Sequence, residues 1–204
     1  MRIPVGIRRF RRNSTEHRRL PFPASRNSRA VQVTGATFFD DVATFPCERW
    51  RELEIYRPRV LVGPATELQR LAELVEIGTV DMSSVDCAVF VLTACGGKPV
   101  SDVLRVVFWQ AFGVPVYELL VDGEGILLAR ECELQEGWHP QPYATFSVTD
   151  NELIVQALRK KARRTGLAGN IETAACPCGR PGARLLDIEA LASREAQREL
   201  AATA

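Results

Sequence analysis

The sequence predicts an α/β fold: a mostly parallel βαβ layer followed by a β-rich lobe. Two observations carry this reading. Strand, helix, strand, helix and strand signals alternate over about sixty residues before Val121, the pattern of right-handed crossovers. After Asp122 the segments shorten, turn residues multiply and helical periodicity fades. The 204 residues are 46% hydrophobic and 25% charged, enough for a buried core.

The elements follow in order. AVQVT, from Ala30, reads as a short strand. PCERWRELEIY reads as a helix with Pro46 in its first turn. RVLVG (59–63) is a compact apolar strand. GPATELQRLAELVEIG places Leu68, Leu71, Leu74 and Val75 at helical spacing, with Gly78 as the stop. CAVFVLTAC (87–95) is a continuous apolar run of the kind that suits a strand buried on both faces. GGKP breaks it, and VSDVLRVVFWQAFG (100–113) reads as the next helix. VPVYELLV (114–121) is another strand. GEGILLARECE, YATFSVTD, ELIVQALR and NIETAAC read as shorter strands. LLDIEALASREAQRELAATA closes the chain as an Ala-rich helix. The expected organisation is thus a basic arm over 1–29, an α/β layer over 30–121, a β-rich lobe over 122–186 and a C-terminal helix over 187–204.

The net charge is +1, but it is unevenly spread. Residues 1–29 carry nine Arg and one Glu, whereas the remainder is net acidic by seven charges. The basic head lacks the apolar stretch of a secretory signal and reads as a solvated arm. No apolar run has the length of a membrane span. Neither a membrane nor a nucleic acid is an expected partner. RKKARR (159–164) lacks the aromatic interleaving of a nucleic-acid platform and reads as a solvated loop. Without a secretory signal, the six cysteines are expected free or metal-bound in a reducing, cytoplasmic setting.

Four residues stand out as metal ligands. Cys132 and His139 have C-x6-H spacing in ECELQEGWH, and Cys176 and Cys178 form a C-x-C knuckle in ACPCGR. Three thiolates and one imidazole are a donor set for tetrahedral Zn2+. Gly179 relieves crowding after the second thiol. Four protein ligands leave no open position, so the expected site is structural, a clamp on the β-rich lobe. With His139 committed there and His17 in the basic arm, no histidine remains to activate Cys95 or a serine as a nucleophile.

The segments that carry these ligands resemble those of phenylacetate–coenzyme A ligase type proteins, within the adenylate-forming superfamily. The likeness rests on Glu131-Cys132, Gly137-Trp138-His139, ELIVQALRKKA (152–162) and Cys176-Pro177-Cys178-Gly179-Arg180, and spans roughly residues 85–188. It implies the central part of a ligase fold and a structural zinc, which some members of the family hold with equivalent residues. It also implies that Gly96 and Gly97 in TACGGKP stand where the family approaches adenine, and that Glu124 is the remnant of a magnesium ligand.

Other family features are missing. No Ser/Thr/Gly-rich phosphate loop precedes Gly96. Leu120-Val121-Asp122-Gly123-Glu124 replaces the Tyr-Gly-x-Ser/Thr-Glu motif. RRTGLAGNIE lacks the ribose-gripping aspartate, and one expected helix stands where the lysine-bearing C-terminal domain would follow. Adenylation concentrates negative charge that a phosphate loop, Mg2+ and a lysine would neutralise. The expected function is therefore a zinc-binding, non-catalytic scaffold or interaction module, either self-associating or paired with a ligase chain. The alternative is one component of an AMP-forming aryl-acid–CoA ligase whose partner chain supplies the ATP chemistry. ATP, AMP or coenzyme A is an expected ligand only under that alternative.

Overall fold

The computed structural model describes residue 20 and residues 29–191. Its described residues form eleven strands and three α-helices. The expected basic arm, except Leu20 and Arg29, lies outside the described residues, as does 192–204.

The first half follows the apolar pattern. Strands β1 (Ala30–Val33), β2 (Ala43–Phe45), β3 (Val60–Pro64), β4 (Ala88–Ala94) and β5 (Val116–Val121) are parallel, in the order β2-β1-β3-β4-β5. Helices α1 (Trp50–Tyr56), α2 (Ala65–Glu76) and α3 (Asp102–Phe112) connect them. Leu53, Leu68, Leu71, Phe108 and Phe112 of the helices pack with Val31, Val33, Leu61, Val89 and Val91 of the sheet in one core. Each of these side chains is worth about 1.5–3 kcal/mol when fully buried. Ser101 caps α3 by accepting from the Leu104 amide, and Gly113 ends it in a left-handed conformation.

The opposite face of the sheet has no helix among the described residues. Val60, Val62, Phe90, Leu92, Leu119 and Val121 are instead covered by Phe39 and Val42 from the β1–β2 connection, with Leu20 against the same cluster. Buried Gln32 fixes that cover. Its amide donates to the Phe39 carbonyl at 2.7 Å and the Val42 carbonyl at 3.2 Å, and its oxygen accepts from the Phe38 and Phe39 amides at 2.8 Å.

The sheet does not end at β5. Strand β6 (Leu127–Glu131) joins it antiparallel, and β7 (Trp138–Pro140), β11 (Arg184–Ala190), β10 (Arg163–Glu172), β9 (Glu152–Ala157) and β8 (Ala144–Thr149) extend it in that spatial order. Their core is Leu120, Leu128, Trp138, Leu153, Val155, Leu167 and Leu185.

Two expectations are corrected here. Residues 184–190 form a strand, although the sequence reading begins a helix at 187. Antiparallel pairing with β10 supplies hydrogen bonds that outweigh the helix preference of Leu185, Leu186, Glu189 and Ala190. RKKARR is only partly a loop, because Arg163 and Arg164 open β10 and pair with β9. On α3, Trp109 is 61% exposed, beside exposed Val103 and Val106. No helix among the described residues is long and apolar enough to cross a membrane.

Candidate metal centre

The four expected ligands converge. Cys132, His139, Cys176 and Cys178 bring their ligating atoms within 4.8 Å of one another. Two structural units deliver them. Cys132 follows β6 and His139 lies in β7, opposite Arg130. The β6–β7 turn is closed by the Cys132 amide donating to the Gly137 carbonyl at 2.8 Å. Gly137 adopts φ +97°, and a Cβ there would lie 2.6 Å from the Leu185 carbonyl oxygen, so only glycine fits. Cys176 and Cys178 come from the β10–β11 connection, whose turn is closed by the Gly179 amide donating to the Cys176 carbonyl at 2.9 Å.

The spacing within the cluster suits a tetrahedral ion. The Sγ atoms of Cys132 and Cys176 are 3.5 Å apart, and Cys178 Sγ lies 3.3 Å from His139 Nε2. A tetrahedron with metal–sulfur bonds of about 2.3 Å and a metal–nitrogen bond of about 2.0 Å has edges of about 3.5–3.8 Å. The sulfurs are too far apart for a disulfide bond, which needs about 2.0 Å. Cys132, His139 and Cys176 are buried, and the Leu134 amide points at Cys132 Sγ from 3.4 Å.

Electrostatics divide the ligands. Burial pushes the Cys132 thiol up to about 11. Burial also holds the His139 imidazole below its ordinary value, which favours the neutral, ligating form. At Cys176 burial raises the pKa most, but hydrogen bonds from Cys178 and Cys132 and the charge of Arg184 together bring it below its usual value. Three thiolates around a divalent ion would leave one net negative charge. Arg184 Nη1 lies 3.8 Å from Cys176 Sγ and also donates to the Glu136 carbonyl at 3.2 Å. Glu133, next to Cys132, forms a two-pronged ion pair with Arg180 of the knuckle.

The remaining expected site residues lie at the other end of the sheet. Gly96 and Gly97 turn the chain after β4. The Gly97 amide donates to the Ala94 carbonyl at 2.8 Å, and the Gly96 amide donates to the Thr165 carbonyl of β10 at 2.6 Å. A Cβ on Gly166 would stand 2.9 Å from Gly96 Cα. That contact requires glycine at 166, while within the turn a Cβ on Gly97 would stand 2.9 Å from the Ala94 carbonyl oxygen. Glu124 binds Lys160 Nζ at 2.7 Å. Asp122, buried beside it, forms an ion pair with Arg163 at 2.5 Å and accepts from the Glu124 and Ile126 amides at 2.8 Å. Burial raises its pKa, but Arg163 and the two amides outweigh it and hold the carboxyl below the usual range.

Sequence reasoning missed a second buried charge cluster. Arg105 of α3 lies 2.8 Å from Glu118 and 3.0 Å from Glu131, and Thr93 and the Val100 amide donate to Glu118. A lone Glu inside VYELLV was its one visible signal.

The two ends are chemically distinct. Ligands of open α/β sheets sit at the carboxyl ends of the parallel strands, the end that carries Gly96 and Asp122. Because β6 runs antiparallel to β5, Cys132 lies at the opposite end. Thr165, which meets the Gly96 turn, and Glu172, which pairs with Arg184 beside the cysteine cluster, are seven residues apart on β10, or roughly 23 Å.

This arrangement, a parallel βαβ sheet with an antiparallel extension, resembles part of the fold of adenylate-forming CoA ligases. A 2-hydroxyisobutyryl-CoA ligase in complex with 2-HIB-AMP and CoA matches with a TM-score of 0.59 and 14% identity, over 76% of this chain and 43% of that one. A long-chain-fatty-acid-CoA ligase from Archaeoglobus fulgidus matches at 0.55 and 13%, over 85% and 46%. The anthranilate CoA ligase AuaEII in complex with anthranoyl-AMP matches at 0.53 and 8%, over 78% and 39%. The chain therefore spans less than half the length of these ligases. No protein-family model matches it, and no curated protein matches it.

Proposed function

We propose that this protein is a zinc-clamped, non-catalytic relative of the CoA ligases, of the phenylacetate–CoA ligase type, acting as a scaffold or interaction module. The observation that carries the reading is the convergence of three sulfurs and one imidazole from two units of the sheet. The CxCGR knuckle and the Glu-Cys…His segment support the finer family assignment. Zinc there would link the β6–β7 hairpin to the β10–β11 connection. The chain's own residues hold the ligands: Gly137 and Gly179 shape the two turns, and Arg184 offsets the excess negative charge.

The non-catalytic part of the reading is supported at the carboxyl-end edge of the sheet. Thr165 engages the Gly96 turn, and Lys160 and Arg163 pair with Glu124 and Asp122. Nucleotide entry would have to displace these contacts, and a Mg2+ ion would compete with two cations for its carboxylates. A second reading draws on the fold similarity to CoA ligases: the chain is one component of an AMP-forming aryl-acid–CoA ligase that acts with a partner chain.

Elemental analysis and nucleotide-dependent thermal shift on the same preparation test the proposal. One zinc per chain with no shift on adding ATP, AMP or coenzyme A is the expected result. ATP–pyrophosphate exchange with aromatic acids that survives repurification would overturn the non-catalytic reading. A chain purified without zinc, and unable to take it up, would overturn the clamp.

A further inference from the structure

Strand β8 ends the sheet. Among the described residues it pairs only with β9, and Thr145, Ser147, Val148 and Thr149 are exposed. Natural edge strands are protected by charge, proline, a bulge or shortness. The six residues ATFSVT have no charge and no proline, and their pairing with β9 runs without a register shift.

The outward hydrogen-bonding groups can be assigned. Asp150 and Asn151, at φ 50° and 69°, form a two-residue turn closed by Thr149 and Glu152. The closing pair of such a hairpin exchanges its backbone hydrogen bonds, and the pattern alternates along the strand. Thr149, Ser147 and Thr145 therefore bond to β9, while Phe146 and Val148 turn their amides and carbonyls to the open side. Ala144 is not available in the same way, because its amide already donates to the Gln141 carbonyl at 2.9 Å.

From this pattern we infer that β8 is a homodimerisation edge, pairing antiparallel with β8 of a second copy about a twofold axis through Ser147. This register matches Phe146 with Val148 of the second copy, and the reverse, so all four outward backbone groups on each strand are satisfied. It sets aromatic against β-branched on one face. On the other it sets Thr145 against Thr149 and Ser147 against itself. These are the cross-strand pairs that stabilise antiparallel ladders. Moving the axis to Phe146 would ask Ala144 for groups already in use. Moving it to Val148 would set Asp150 against Phe146. A six-residue ladder is a small contact, so the dimer belongs to the weak, concentration-dependent class.

Sedimentation of the full chain from low micromolar to near-millimolar concentration tests this. The wild type should move toward twice the monomer mass as concentration rises. Ser147→Lys places two like charges directly across the axis and should weaken association by about tenfold or more. So should Ser147→Glu. Mixing the Lys and Glu variants should restore the dimer, a rescue that a folding defect would not produce. A wild type that stays monomeric throughout overturns the inference. So does undiminished association of either variant, or a mixture that fails to associate.

Discussion

Under the proposed zinc clamp, removing the metal should lower stability by an amount that the chain path sets. Cys132 and Cys176 are 44 residues apart. Treated as a covalent cross-link of that span, the clamp removes about 4 kcal/mol of chain entropy from the unfolded state. For a chain of this size each kcal/mol moves the midpoint by about 2–4 °C, so the expected loss is roughly 8–16 °C. The assay is thermal unfolding followed by circular dichroism on protein as purified, after chelation, and after zinc is restored. Cys176→Ser should reproduce the chelated midpoint and no longer respond to chelator, whereas Cys87→Ser should respond like the wild type. A chelated protein that melts within a degree or two of the untreated one would refute the cross-link reasoning.

Other perturbations test the surroundings. Arg184→Met removes the cation beside Cys176 and should weaken zinc binding by about tenfold or more in a competition titration with a chromophoric chelator. Gly166→Ala drives a methyl against Gly96 Cα at a positive φ and should cost about 2–3 kcal/mol in urea unfolding. Gly96→Ala meets open space and should cost about 1 kcal/mol. Asp122 has a lowered pKa, so its contribution is present above the ordinary carboxylate range and fades as pH falls through the lowered value. Asp122→Asn should therefore lose stability near neutrality and show a flatter decline below about pH 4, measured as urea midpoints against pH.

The parts of this fold that were legible in the sequence were those with a strong local signature. The run AVFVLTA and the Leu68–Leu71 spacing define β4 and α2, because burial on one or both faces imposes a period. The convergence of Cys132, His139, Cys176 and Cys178 was legible for a different reason: thiols and imidazoles are scarce, and a CxCG knuckle has few other uses. What was hidden depends on pairing across distance. Strand β7 has three residues, too few to show alternation. Strand β10 begins with two arginines and contains two glycines, and its strand character comes from lying between β9 and β11. The same tertiary pairing makes a strand of LLDIEA. Gln32 was silent as well, since its role is to anchor a loop that only the folded chain brings beneath it. The Gly96 turn was legible as a turn, but its contact with Gly166 required two segments seventy residues apart.

The claim on which the rest depends is that three sulfurs and one ring nitrogen share one zinc ion. X-ray absorption at the zinc edge, on protein purified without added metal, reads that shell directly. The account predicts three sulfur neighbours at about 2.3 Å and one nitrogen at about 2.0 Å. An absent zinc edge, or a shell dominated by oxygen and nitrogen, would contradict it.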